Sequence, residues 1–195
     1  MDELKLTFVL INLKTINMKN FNKLSAILLM SLSVLSISCS SDSDGGGGSG
    51  PATGGFIKAK VAGDNFQSDD MTTVGTYNSG AMVLQGTTLD GKSVTIQLYA
   101  IDGSLETGTY NMNATNESDA YTGSLNYAAV NLSTFTTQSY NSVNCENATG
   151  TLEITFIDAT KIEGKFSFVG KEVKIDETCD GATKNVTNGS FRLEL

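Results

Sequence analysis

The chain has no histidine and no tryptophan, a single proline, and three cysteines. Without His there is no commonest general base, no Ser-His triad and no usual zinc ligand set. Without Trp, a sugar-binding surface would have to use other rings. Glycine is plentiful, but the one cluster, residues 45–48, precedes no strand-turn-helix pattern, which excludes a phosphate-binding loop. No stretch carries a sustained helical period. The formal charge is −8. Removal of residues 1–38 would take away Lys5, Lys14, Lys19 and Lys23 against Asp2 and Glu3, giving about −10, a balance that argues against nucleic acid and against an electrostatic hold on anionic lipid.

What is present at the N-terminus is an address. Lys19 and Lys23 precede an uncharged, mostly apolar stretch over residues 24–38. Its length suits a signal-peptide core and falls short of the roughly 20 residues that span a bilayer. It ends in Leu35-Ser36-Ile37-Ser38-Cys39, which resembles the lipobox of bacterial lipoproteins, with Ser36 where Leu is commoner. The resemblance implies cleavage before Cys39 and acylation of that residue, giving two or three chains and a lasting membrane anchor. The competing reading is an uncleaved anchor helix with an incidental cysteine. Ser40, in place of Asp, implies the outer membrane. Ser40-Ser41-Asp42-Ser43-Asp44 resembles the acidic patch of surface-exported Bacteroidota lipoproteins, and reads equally as the start of a linker.

These features divide the chain. Residues 1–17 are expected to be a mis-called start, with Met18 the true one; 18–38 form a lipoprotein signal peptide; 39–55 carry the lipidated Cys39 and a Gly/Ser linker; 56–195 form one β domain. The linker's composition gives an r.m.s. reach of about 20–25 Å, which is expected to let the domain float clear of the headgroups.

Period-two alternation governs the domain. Val94, Ile96 and Leu98 alternate with Ser93, Thr95 and Gln97; Leu152, Ile154 and Phe156 with Thr151, Glu153 and Thr155; Phe166 and Phe168 with Lys165, Ser167 and Val169. Turn chemistry separates these runs: Ala62-Gly63 predicts a tight turn, Asp90-Gly91 a two-residue hairpin, and Asp158-Ala159-Thr160 a bend. The expected fold is all-β, an antiparallel β-sandwich of about 8–10 strands, with a β-barrel as the alternative.

Five pieces in order resemble a Bacteroidota lipoprotein family of unknown function. They are Phe56-x-x-Ala59-x-Val61-x-Gly63-x-x-Phe66, Gly108-Thr109-Tyr110, Gly150-x-Leu152-x-Ile154-Thr155, Ile162-x-Gly164-x-Phe166-x-Phe168, and a C-terminal Val186-Thr187-Asn188-Gly189-Ser190-Phe191. The resemblance implies an anchored all-β domain and carries no catalytic residue.

With Cys39 lipidated, Cys145 and Cys179 remain. Both sit in polar, turn-like sequence, which in an oxidising envelope points to a disulfide; two separate buried thiols are the alternative. Other chemistry is thin. Any two of Asp64, Asp69, Asp70, Asp102, Glu106 and Asp119 could pair for hydrolysis, though all lie in turns. Asp64, Asp69 and Asp70, or Asn116, Glu117 and Asp119, could offer oxygen ligands to calcium, without EF-hand spacing; no other cofactor is expected. Tyr121, Tyr127 and Tyr140, with Thr134, Thr136 and Thr137, could form a ligand-binding strip, or be half-buried strand tyrosines. The expected function is that of an outer-membrane or cell-surface lipoprotein, not an enzyme, whose domain binds an extracellular or cell-envelope ligand, glycan or protein, or serves a structural role. The rival is a small carboxylate-dependent glycan or peptide hydrolase.

Overall fold

The computed structural model describes residues 54–116, 118–174 and 178–195. The proposed signal peptide, Cys39 and most of the linker lie outside them. The described residues form eleven strands and no helix: β1 (Phe56–Val61), β2 (Asp64–Gln67), β3 (Thr73–Asn78), β4 (Ala81–Thr87), β5 (Lys92–Ala100), β6 (Gly108–Asn111), β7 (Tyr121–Asn131), β8 (Thr136–Asn141), β9 (Thr149–Ile157), β10 (Lys161–Glu172) and β11 (Thr183–Glu194). The count exceeds the expected 8–10 because β2 and β6, four residues each, are too short to display alternation.

The all-β antiparallel class is what forms, as one curled sheet that makes a half-barrel. Its path runs β2-β1-β11-β10-β8-β7-β5-β4-β3, with β9 on β10 and β6 on β9. The long β10 joins the halves: along most of its length it pairs with β9, then its last residues, Lys171 and Glu172, pair with Asn141 and Tyr140 of β8. Curling brings β3 and β4 back over β1 and β11. At that corner the Ser68 Oγ accepts a hydrogen bond from the Ile57 amide at 2.9 Å and lies 2.7 Å from the Thr73 hydroxyl.

Inward residues of both halves fill the interior, among them Ile57, Leu84, Ile96, Leu125, Leu152, Ile162 and Phe191. Alternation predicts this face with one exception. Phe156, expected inside, is exposed, because the β9–β10 register shifts between Glu163 and Gly164. The extra residue of that bulge reverses the alternation, so Ile157 packs on the core in place of Phe156. A second irregularity falls at Asn188-Gly189. This pair usually signals a hairpin, yet here it lies inside β11, with Asn188 at φ 53° and the pairing to both β1 and β10 shifted beside it. A Cβ on Gly189 would lie 2.7 Å from the Phe166 ring, so glycine lets that ring pack over the strand.

Turns follow their chemistry. Ala62 and Gly63, both at positive φ, form the expected tight turn, closing β1 onto β2 as a two-residue hairpin. The β4–β5 loop is longer than the two residues expected: the Gly91 amide donates to the Thr88 carbonyl, and Gly91 takes φ 82°. The Asp158 carboxylate caps the β9–β10 bend by accepting from the Thr160 and Lys161 amides.

Candidate functional site

The three tyrosines do not form one strip. Tyr127 and Tyr140 are cross-strand partners on β7 and β8, both buried, with ring centroids 6.2 Å apart. Burial pushes both hydroxyls above the usual phenol range. Tyr121 stands edge-on to Tyr110 at 4.9 Å, and its hydroxyl accepts from the Asn111 amide at 2.8 Å. Tyr110 in turn donates to the Glu106 carbonyl at 2.7 Å, so this pair anchors the loop ahead of β6. Thr134, Thr136 and Thr137 lie exposed around the β7–β8 hairpin, with the Thr134 and Thr136 hydroxyls 2.8 Å apart.

The acidic candidates have local duties. One oxygen of Asp69 accepts from the Met71 and Thr72 amides and the Thr72 hydroxyl. Asp70 accepts from the Gly55 amide at 2.9 Å. Asp64 is on β2; Asp102, Glu106 and Asp119 are exposed near turns. Among the described residues no group of three or more Asp, Glu, Cys or His side chains converges as a metal cluster. Glu117 lies outside the described residues.

Cys145 and Cys179 form a disulfide, with Cα atoms 5.9 Å apart. It ties the turn after β8 to the turn before β11, beside the β8–β10 junction. That junction is polar and satisfied: the Ser142 Oγ accepts from the Leu125 amide, and the buried Lys171 ammonium donates to the Gly181 carbonyl at 2.8 Å. The bridge therefore holds in place the segment that supplies the acceptor for a buried charge.

An open groove of ≈ 310 Å³ lies at the seam where curling brings β3 against β11, lined by Gly55, Asp70, Thr73, Val74, Gly75, Leu84, Leu193 and Glu194. A Cβ on Gly75 would come within 2.7 Å of Leu193 and 2.8 Å of Leu84, so glycine sets the close approach of the two halves. β3 pairs with β4 alone and forms one end of the sheet. The groove thus combines a strand edge, apolar contact from Val74, Leu84 and Leu193, and the carboxylates of Asp70 and Glu194. This set can hold an extended chain by backbone hydrogen bonds and side-chain contact. Sequence reasoning missed it because the seam is made by residues more than a hundred positions apart; the visible hint was Thr73-Val74-Gly75-Thr76, a strand pattern with no buried face.

Fold and site together define a disulfide-bridged, all-β half-barrel domain with the free edge of β3 beside a groove. The chain belongs to the family described as Domain of unknown function (DUF6252), whose model matches residues 54–192. No curated protein matches the chain, and no solved structure does.

Proposed function

We propose that this protein is a lipid-anchored outer-membrane or cell-surface lipoprotein whose half-barrel is a binding module, with the groove beside β3 as its binding site. The observation that carries the binding reading is the free β3 edge facing a groove with exposed Val74 on its rim. The anchor reading is supported by the order of charge, apolar stretch and small residues that ends at Cys39. The ligand that suits the groove is an extended segment of a protein or glycan from the cell envelope or surroundings. Val74→Lys tests the site, because the exposed side chain can change without disturbing the core. Ligands selected from peptide and glycan arrays are expected to lose at least about tenfold in affinity. Unchanged affinity with an unchanged melting temperature would place binding elsewhere.

Asp70 and Glu194 line the same groove, which keeps the hydrolase reading as the rival. Turnover on a glycan or peptide panel that Asp70→Asn abolishes, with the fold intact, would make the hydrolase reading primary. The hydrogen bond from Gly55 to Asp70 favours a positioning role for that carboxylate.

A further inference from the structure

Three loops at one end of the β3-β4-β5-β7-β8 half carry large apolar side chains turned to solvent. Met71 lies in the β2–β3 loop, Leu89 in the β4–β5 hairpin, and Leu132 and Phe135 in the β7–β8 hairpin. Leu89 is 95% and Phe135 83% exposed. The loops are neighbours. The Thr87 amide donates to the Thr72 carbonyl, the Val130 amide to the Gly91 carbonyl, and a Cβ on Gly91 would touch Leu132 at 3.5 Å. Apolar residues at hairpin tips have no folding reason to be there, since polar turn residues would serve as well. Phe135 also sits at φ 53°, a left-handed backbone that bulky side chains avoid.

Several polar groups of these tips are engaged within the loops themselves. Phe135 and Gly91 amides donate to the Asn131 and Thr88 carbonyls, and the Asn131 side chain accepts from the Ser133 and Thr134 amides. Asp90 is paired with Lys92 at 2.7 Å, and Asp69 is bound by its own loop. Backbone that satisfies itself in this way enters an apolar interface at little cost.

The place where the chain joins the domain identifies what covers these tips. Gly54 and Gly55 lie against Asp70, the residue before Met71, so the first described residues of the domain are at this same end. Gly/Ser-rich composition over the span back to Cys39 has a reach of about 20 Å. We propose that Met71, Leu89, Leu132 and Phe135 dip into the bilayer to which Cys39 is anchored, so that the domain rests on the membrane tip-first rather than floating clear. This inference rests on the lipoprotein reading. It requires apolar contact and no anionic lipid, in keeping with the acidic net charge.

Because the chain has no Trp, one introduced Trp is a clean reporter of depth. The acylated protein, processed to begin at Cys39, is reconstituted into phosphatidylcholine vesicles as Phe135→Trp, Leu89→Trp or Ile101→Trp, the last at the opposite end of β5. With brominated phosphatidylcholine, quenching at positions 135 and 89 is expected to exceed that at 101 at least threefold. Equal quenching at all three in an acylated, vesicle-bound protein overturns the tip inference and leaves the anchor reading standing. Shielding of position 135 from aqueous iodide without lipid quenching would assign the tips to a second copy or a protein partner, and also overturns it. If the native protein isolated from its own cell envelope carries no acyl group at Cys39, both readings are overturned together.

Discussion

The hydroxyl of Ser68 occupies the space that a Cβ on Gly86 would need. Ser68 is buried in the corner where β1 and β2 meet β3 and β4, and its oxygen accepts from the Ile57 amide. A hydrogen-bonded side chain on one half and a missing side chain on the other thus fit together to close the curl.

Gly86→Ala is expected to cost about 1–3 kcal/mol through overpacking, and Ser68→Ala about 1–3 kcal/mol because it leaves the buried Ile57 amide without its acceptor. Urea unfolding of Ser68→Gly, Gly86→Ala and the double variant measures the coupling. The double variant should be less damaged than the sum of the two; strict additivity would show that the sites do not share this volume.

The Cys145–Cys179 bridge closes 34 residues of sequence separation. Loop-closure entropy assigns such a bridge about 3 kcal/mol after allowance for strain, and its reduction should lower the melting temperature by about 10 °C. The folded, unreduced protein should show no thiol reactive at either position. Stoichiometric modification of the folded domain would contradict the bridge.

Glu163 gives stability a pH dependence. Burial raises the affinity of its carboxyl for a proton, but hydrogen bonds from Arg192 at 2.6 Å and Lys161 at 3.2 Å outweigh this and hold it below the usual 4.5. Its contribution is therefore complete above about pH 4.5 and lost as pH falls through the lowered folded-state value. Glu163→Gln should destabilise by about 0.5–1 kcal/mol at pH 7, with the gap to wild type closing towards pH 3. A gap that stays constant over that range would remove the ionic explanation.

For the proposed address, metabolic labelling with a fatty acid should tag the protein, and Cys39→Ala should abolish the tag. A chain begun at Met18 should reach the same membrane as one begun at Met1. Label that survives in Cys39→Ala would refute anchoring through that residue.

The fold class could be read from alternation in β5, β9 and β10, because strands with one wet face write their geometry directly into sequence. The exceptions are bulges: Phe156 reads as core and is not, and the bulge at Asn188-Gly189 leaves no mark in the alternation. Both arise because an extra residue shifts the phase of alternation, which is visible only once the partner strand is known. Tyr121, Tyr127 and Tyr140 share a stretch of sequence, yet two face the interior and one braces a loop. The groove at Val74 and Gly75 and the tip residues Leu89 and Phe135 were hidden for another reason. A single apolar residue in a polar loop carries no signal until neighbouring loops are seen to bring several together.

The pairing of Phe56 with Arg192 makes the first strand of the domain a neighbour of the last. During synthesis, β1 and β10 must wait for β11 before their shared partner arrives. Without β11, β1 and β10 would each keep a long strand edge open, so loss of Thr183–Glu194 would be as damaging as loss of a central strand. Such dependence on contacts distant in sequence also sets a slow pace for closure.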